Sequence, residues 1–352
     1  MVNSLMGILA GAGFRARIGS VARSSDLVAI IEAAYAPAPD TPSWLRGVLE
    51  AFHASYLPEG CYGYTFQWDG DALDASGDVL VGLPDRYGDY VRAMMAVDDP
   101  DFIATMYACP PCATLSSLTA SAGGRALFPE APGAGALDDA MRREQIADQL
   151  GLRAEDGSGA GVLIGAPLSV VTRLDRAERD VLMRVLAHVA AGHRLHRRAS
   201  HDRAEEPEAV LRPDGGVEHI EGVAAESREL LRDATVRRTR ARGALRDEDP
   251  TRAVELWRAL VDGRWSLVDH FDHGGRRYVV ARRNSVHAAG PARLTPRQRE
   301  IASLVALGHS NKLIAYELGL SESTVSSSLV TIRRKLGVSS RVALVRAIRE
   351  RE

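Results

Sequence analysis

The residues best suited to covalent chemistry meet at Cys109-Pro110-Pro111-Cys112. A C-x-x-C spacing can shuttle a disulfide or supply half of a zinc site. The disulfide role needs a strand before the motif and a helix after it. The preceding DPDFIATMYA (99–108) instead reads as helical, and no second C-x-x-C completes a zinc site. A structural loop is the favoured reading, with a redox switch through Cys109 and Cys112 as its rival and metal binding behind both. His188, His193, His196 and His201 follow one another along an arginine-rich segment, where a solvated helix face is expected and a metal site is the alternative. GSGAG (157–161) follows no run that reads as a strand, so it is expected to be a turn. No nucleophile stands with a base and an orienting acid, so catalysis is not expected. No cofactor and no metal are assigned.

A second group of residues suits a polyanion. From Arg293 onward eleven Lys or Arg accompany five Asp or Glu, a balance of +6; with a formal net charge of −2, the first 292 residues carry −8. A basic end on an acidic body points to a polyanionic partner for the end of the chain alone. The chain has two lysines, Lys312 and Lys335, both in that end. A GxxxxGK[ST] phosphate loop is thereby excluded.

The elements that must position these cations are written locally. Thr295, Pro296 and Gln298 give an N-cap, a first-turn proline and a capping-box partner. Ile301, Leu304 and Val305 form the apolar side of that helix, and Gly308 stops it. Ser310 caps a second helix that ends at Gly319, and Ser321 caps a third. Two helices joined by Gly319-Leu320-Ser321 predict a helix-turn-helix. In the third helix Val325, Leu329, Ile332 and Leu336 make one buried stripe. Ser323, Ser327, Val330 and Arg334 occupy the opposite face, with Ser326 and Thr331 on its flanks, and Arg333, Arg334 and Lys335 cluster at its end.

This segment, LTPRQREIASLVALGHSNKLIAYELGLSESTV...IRRKLGVSSRVALVRAI, resembles the LuxR-type helix-turn-helix domain over about 55 residues. By that resemblance Ser326, Ser327 and Val330 match base-facing positions, where lysine is frequent. Asn311, Lys312, Thr324, Arg334 and Lys335 match positions near the phosphates. A last helix carrying Val342, Val345 and Ile348 would join two copies, so that a homodimer reads double-stranded DNA. The family usually has glutamate where Gln298 stands, a swap that a capping box tolerates. It often has TVKxH where this chain has TVSSS, which removes reach and charge from the groove. A serine discriminates bases poorly on its own, so an atypical or weak sequence preference is expected. The related response regulators would use a lysine in an acidic receiver pocket, and none exists upstream of Lys312.

Upstream, DLVAIIEAAY and WLRGVLEAFHASYL show helical spacing, while GYTFQW and GAGVLIGAPLSVV are β-prone. A long helix opens at a second capping box, Asp175 with Glu178, and carries Leu182, Val185, Leu186 and Val189 as its stripe. The organisation of 1–200 resembles a GAF-type α/β (α+β) sensor module. Polar SHDRAEEPE (200–208) forms a boundary. The stretch 207–284 reads as strand pair, helices, strand pair, with turns at Pro213-Asp214-Gly215-Gly216 and His273-Gly274-Gly275, and resembles a small α+β PAS-type module. A linker at 284–293 leads to the all-α domain at 290–352. Residues 87–102, with tyrosines and an Asp-Pro, resemble the ligand-binding half of acyl-homoserine-lactone regulators. No tryptophan stands at the expected place, so packing is favoured there.

Hydrophobic content of 45% and charged content of 26% fit a soluble globular protein, and no apolar run is long enough for a membrane. The N-terminus lacks the cationic start of a secretory signal, and three cysteines are too few for a disulfide framework, so a bacterial cytoplasm is expected. The resulting expectation is a multidomain transcription regulator whose upstream sensor domains, bound to a small molecule of unknown identity or to a protein, control a DNA-binding end. The alternatives are constitutive DNA binding with upstream interaction modules, and the redox-responsive regulator.

Overall fold

The structure is a computed structural model that describes residues 26–69, 72–95, 109–120, 141, 145–155, 159–199, 207–257, 260–261, 265–272, 275–283, 294–336, 338 and 340–349. Its first part runs α1 (Leu27–Ala34), α2 (Thr41–Ser55), β1 (Cys61–Asp69), β2 (Ala72–Val81), α3 (Arg86–Met95), β3 (Cys112–Thr114), α4 (Leu115–Ala120), β4 (Asp148–Glu155), β5 (Ala160–Leu168) and α5 (Arg176–Ala199). The five strands form one antiparallel sheet in the order β2-β1-β5-β4-β3. Asp40 caps α2 by accepting the Ser43 amide at 2.7 Å, and Trp44, Leu45, Val48, Leu49 and Phe52 line its buried side. Together with α1 and α5 they cover one face of the sheet. Tyr62, Tyr64, Tyr87 and Val91 form a second apolar cluster, which places Tyr87 of the 87–102 stretch in packing. Residues 96–102 lie outside the described residues.

The Asp175–Glu178 capping box is present, with reciprocal bonds of 2.8 and 2.9 Å, and Leu182, Val185, Leu186 and Val189 are buried as predicted. The histidines of α5 correct the sequence reading. His188, His193 and His196 are 6, 2 and 9% exposed, so they belong to the buried side rather than to a solvated face. The indole of Trp44 stacks on His196 with centroids 5.9 Å apart and lies 5.5 Å from His193, while the Tyr35 hydroxyl reaches His188 Nδ1 at 3.1 Å. His201 lies outside the described residues. The approach of α1 to α5 needs Gly192: a Cβ there would stand 2.1 Å from the Ala34 carbonyl oxygen.

GSGAG also sits differently from its sequence setting. A strand, β4, does precede it, and the connection leads into the paired strand β5 with Glu155 opposite Gly161. The turn reading stands, but as a hairpin connection; residues 157–158 lie outside the described residues.

The second part comprises β6 (Ala209–Leu211), β7 (Val217–Ile220), α6 (Gly222–Glu226), α7 (Arg228–Arg242), α8 (Leu245–Glu248), α9 (Pro250–Leu256), β8 (Leu260–Val261), β9 (Trp265–Phe271) and β10 (Arg277–Arg283). These strands make a second antiparallel sheet, β7-β6-β10-β9-β8, in which β8 extends the expected pair of hairpins. At the first turn Gly215 adopts φ +85°, and the Asp214 carboxylate accepts the Gly216 amide at 2.8 Å. In the second turn His273 and Gly274 lie outside the described residues.

The two parts share apolar packing. Ala253, Val254 and Trp257 join the core of the first sheet, and the guanidinium groups of Arg238 and Arg242 each lie 5.0 Å from the Trp257 ring centroid. Arg242 pairs with Glu32 at 2.6 Å, and Arg246 pairs with Asp26 and with Glu32. Helix α1 is thus fastened to both α5 and the arginines of α7 and α8.

The C-terminal part is a bundle of α10 (Pro296–Ala306), α11 (Asn311–Leu318), α12 (Glu322–Leu336) and α13 (Arg341–Arg349). Its core holds Ile301, Leu304, Val305, Ile314, Leu318, Val325, Leu329, Ile332, Leu344 and Ile348. The upstream region is therefore α+β with antiparallel sheets, and the end is helical. The linker 284–293 lies outside the described residues. Among the described residues no helix is long and apolar enough to cross a membrane.

Candidate nucleic-acid interface

Local rules set each helix of the C-terminal part. Thr295 Oγ1 accepts the Gln298 amide at 3.2 Å while Gln298 Oε1 accepts the Thr295 amide at 3.1 Å, the predicted capping box. Ser310 Oγ accepts the Leu313 amide and Ser321 Oγ the Thr324 amide, at 3.2 and 3.1 Å. Gly319 ends α11 in the left-handed region at φ +62°, which turns the chain at once into α12.

On α12 the buried side holds Val325, Leu329 and Ile332, which leaves Ser323, Ser326 and Ser327 exposed and Val330 57% exposed. The hydroxyls are not idle. Ser327 Oγ donates to the Thr324 carbonyl at 3.0 Å, and Thr331 Oγ1 donates to the Ser327 carbonyl at 3.2 Å. Asn311 Nδ2 donates to Ser326 Oγ at 3.2 Å, and Asn311 Oδ1 accepts from Arg341 Nη1 at 2.8 Å. Asn311 therefore ties the start of α11 to α12 and α13. Ser327, having donated within its helix, has only lone pairs left to offer, so its remaining hydrogen-bonding capacity is that of an acceptor.

The cations differ in freedom. Lys312 is exposed at the start of α11. Lys335 Nζ donates to Gln298 Oε1 at 2.8 Å, so one of its three donors is spent on α10. The side chain of Arg334 lies outside the described residues. Thr324 is exposed, with its hydroxyl 2.7 Å from that of Ser321. On α13, Val342 is 80% exposed, Val345 packs against the bundle and Ile348 is buried in its core.

His309 and Glu317, which the sequence reading passed over, form a buried pair 2.8 Å apart. Burial pulls the imidazole down, but the adjacent carboxylate outweighs it and raises the histidine. His309 also offers its carbonyl to Arg341, so the pair braces the turn between α10 and α11.

The cysteine motif is held as structure. Arg153 donates its amide to the Pro111 carbonyl at 2.8 Å and its guanidinium to the Cys109 carbonyl at 3.2 Å, and Cys112 begins β3 opposite Leu152. Both cysteines are buried, and neither is in a disulfide. Burial pushes Cys112 up to about 12, and pushes Cys109 up against the opposing pull of Arg153. Thiols held protonated are poor nucleophiles. Among the described residues no three His, Cys, Asp or Glu side chains converge to hold a metal ion.

A three-helix core with a short glycine turn, capped at each start and exposing one polar face of its third helix, defines a helix-turn-helix domain. Residues 292–348 match the family described as bacterial regulatory proteins, luxR family, and this segment is a helix-turn-helix domain of that family. Over 53 residues the chain is 40% identical to the transcriptional regulatory protein MctR of Rhizobium johnstonii, which covers 15% of this chain and 25% of that relative. The match thus spans a quarter of the relative's length. The crystal structure of Escherichia coli SdiA aligns over 89% of this chain and 91% of that one at 9% identity, with a TM-score of 0.31, a similarity too low to bear on fold or function.

Proposed function

We propose that the chain is a DNA-binding transcription regulator whose upstream α+β region acts as a sensor for the helix-turn-helix domain. The observation that carries this reading is the exposed face of α12, Ser326, Ser327 and Val330, on a luxR-family domain whose neighbouring α11 is fixed to it through Asn311. In this reading α12 enters a major groove. Ser327, its hydrogen spent within the helix, accepts from the amino group of an adenine or cytosine, Ser326 keeps its hydrogen to donate, and Val330 offers an apolar contact to a thymine methyl. Lys312, Lys335, Arg334, Asn311 and Thr324 lie along the phosphates and supply most of the affinity. A second copy would join through α13 by way of Val342, because Ile348 is committed to its own bundle. A ligand or partner acting upstream would shift the population of heads free to bind. The protonated, buried thiols speak against the redox alternative.

Binding of the full chain to a labelled duplex tests this reading. Val330→Asp places a carboxylate on the proposed groove face and is expected to lower affinity at least tenfold, on the order of the 1–3 kcal/mol that a single base contact carries. Equal binding by the variant and the wild-type chain would remove α12 from the interface.

A further inference from the structure

The hydrogen bonds that dock the helix-turn-helix on the rest of the molecule include two made by one side chain of its own first motif helix. Tyr316 of α11 donates its hydroxyl hydrogen to the Val254 carbonyl at 2.6 Å, and the same oxygen lies 2.7 Å from His188 Nε2. Since the hydroxyl hydrogen is already spent, Nε2 must carry the proton and donate. Burial keeps His188 neutral, down at about 3, with Arg238 adding to the effect. Its Nδ1 is then a lone pair, and the Tyr35 hydroxyl 3.1 Å away donates to it. One proton arrangement satisfies the whole chain: Tyr35 to His188, His188 to Tyr316, Tyr316 to Val254. Arg184 lies over the Tyr316 ring at 6.0 Å, and Arg194 approaches Glu300 of α10 at 3.8 Å, so α5 forms the floor of the docking site.

The position of Tyr316 matters. It lies four residues from Lys312 and hence on the same face of α11, about 6 Å along the axis. For α12 to enter a groove, a phosphate strand must run past Lys312, which is exposed but stands only one turn from the tyrosine that touches the net-acidic upstream body, so a duplex laid there meets that body. Glu255, next to Val254, pairs with Arg184 at 3.2 Å and so ties α9 to α5 beneath the docked tyrosine. We propose that the Tyr35–His188–Tyr316–Val254 hydrogen-bond chain is a catch that holds the helix-turn-helix in a position unfavourable to DNA, and that its upstream end, Tyr35 at the close of α1, is where the rest of the molecule releases it. The inference rests on the DNA-binding reading above. It adds the contact through which that binding is controlled.

The test uses the full chain, a short labelled duplex of mixed sequence at fixed salt, and small-angle scattering of the free protein. Tyr316→Phe deletes the hydroxyl and keeps the ring. It is expected to raise duplex affinity at least about fivefold, the factor corresponding to one net hydrogen bond where the hydroxyl makes two, and to enlarge the scattering particle. Tyr35→Phe is expected to raise affinity by a smaller factor, since it leaves the Val254 contact intact. Unchanged affinity with a compact particle would mean the chain does not hold the head. Unchanged affinity with an enlarged particle would mean that docking does not hinder DNA, and lowered affinity would make Tyr316 a DNA contact; each overturns the proposal. No effect of Tyr35→Phe beside a positive Tyr316→Phe would overturn the link to α1. An enlarged particle that binds no duplex in any form would refute the DNA-binding reading itself and take the catch with it.

Discussion

Gln298 joins two functions, and replacing it with glutamate separates them. Its Oε1 accepts both the Thr295 amide, closing the capping box, and the Lys335 ammonium, bracing the end of α12 against the start of α10. Gln298→Glu keeps both bonds and makes one an ion pair. A carboxylate in the first turn of a helix gains about 0.3–1 kcal/mol from the dipole, and a partly exposed ion pair about 0.2–1 kcal/mol. The variant should therefore be more stable by about 1 kcal/mol, read as a higher urea midpoint at unchanged slope. It should also bind DNA less well. A neutralised Lys335 no longer displaces a counterion, so the slope of log affinity against log salt should become shallower by about 0.9 per head. Gln298→Ala is the control: it removes both bonds, costs about 1 kcal/mol and leaves the Lys335 charge free, so the salt slope should not change. A more stable Gln298→Glu chain with an unaltered salt slope would refute the placing of Lys335 on a phosphate. Equal stability of all three chains would refute the double role of Gln298.

Arg334→Glu should weaken binding to every duplex alike, and a loss confined to one sequence, seen by comparing several, would make Arg334 a base reader. The Cys109→Ser, Cys112→Ser double variant should match the wild-type affinity with reductant and with oxidant, and a difference under oxidant alone would restore the redox reading. Gly192→Ala should destabilise the chain by roughly 1–3 kcal/mol, measured by urea unfolding, because its methyl meets the Ala34 carbonyl. Because His188 is depressed to about 3 from 6.5, the unfolded chain takes up a proton below pH 6.5 that the folded chain refuses. Stability should fall through that window, by on the order of 1 kcal/mol at pH 5.5. The raised His309 acts with the opposite sign, so the difference from His188→Gln isolates the effect; parallel curves would mean that His188 is solvated.

The helical end was legible because its rules are local. Thr295, Ser310, Ser321 and Gly319 each act within four residues, and the four-three-four spacing of Val325, Leu329, Ile332 and Leu336 needs no partner to be read. The buried histidines were not, because Tyr35 and Trp44 reach them from some 150 residues earlier in the sequence. Arg238 was hidden in the same way: on an arginine-rich helix it looks solvated, yet it is 1% exposed between Trp257 and Asp269. Strand β4 did carry a period-two signal in Leu150, Leu152 and Ala154, with Arg153 on the other face, but that arginine is itself buried, and Glu155 pairs with it at 2.5 Å. Tyr316 gave no signal at all. A tyrosine at a half-buried position of a short helix reads as packing until the body that receives it is known.

The most direct test of DNA recognition through α12 is selection of bound fragments from random duplex DNA by the full-length chain, repeated with Ser326→Ala, Ser327→Ala. The account predicts enrichment of a two-fold symmetric site that the wild-type chain retains and the double variant reads differently at the groove positions. Recovery of no DNA above background, or of the same enriched site by both chains, would contradict it.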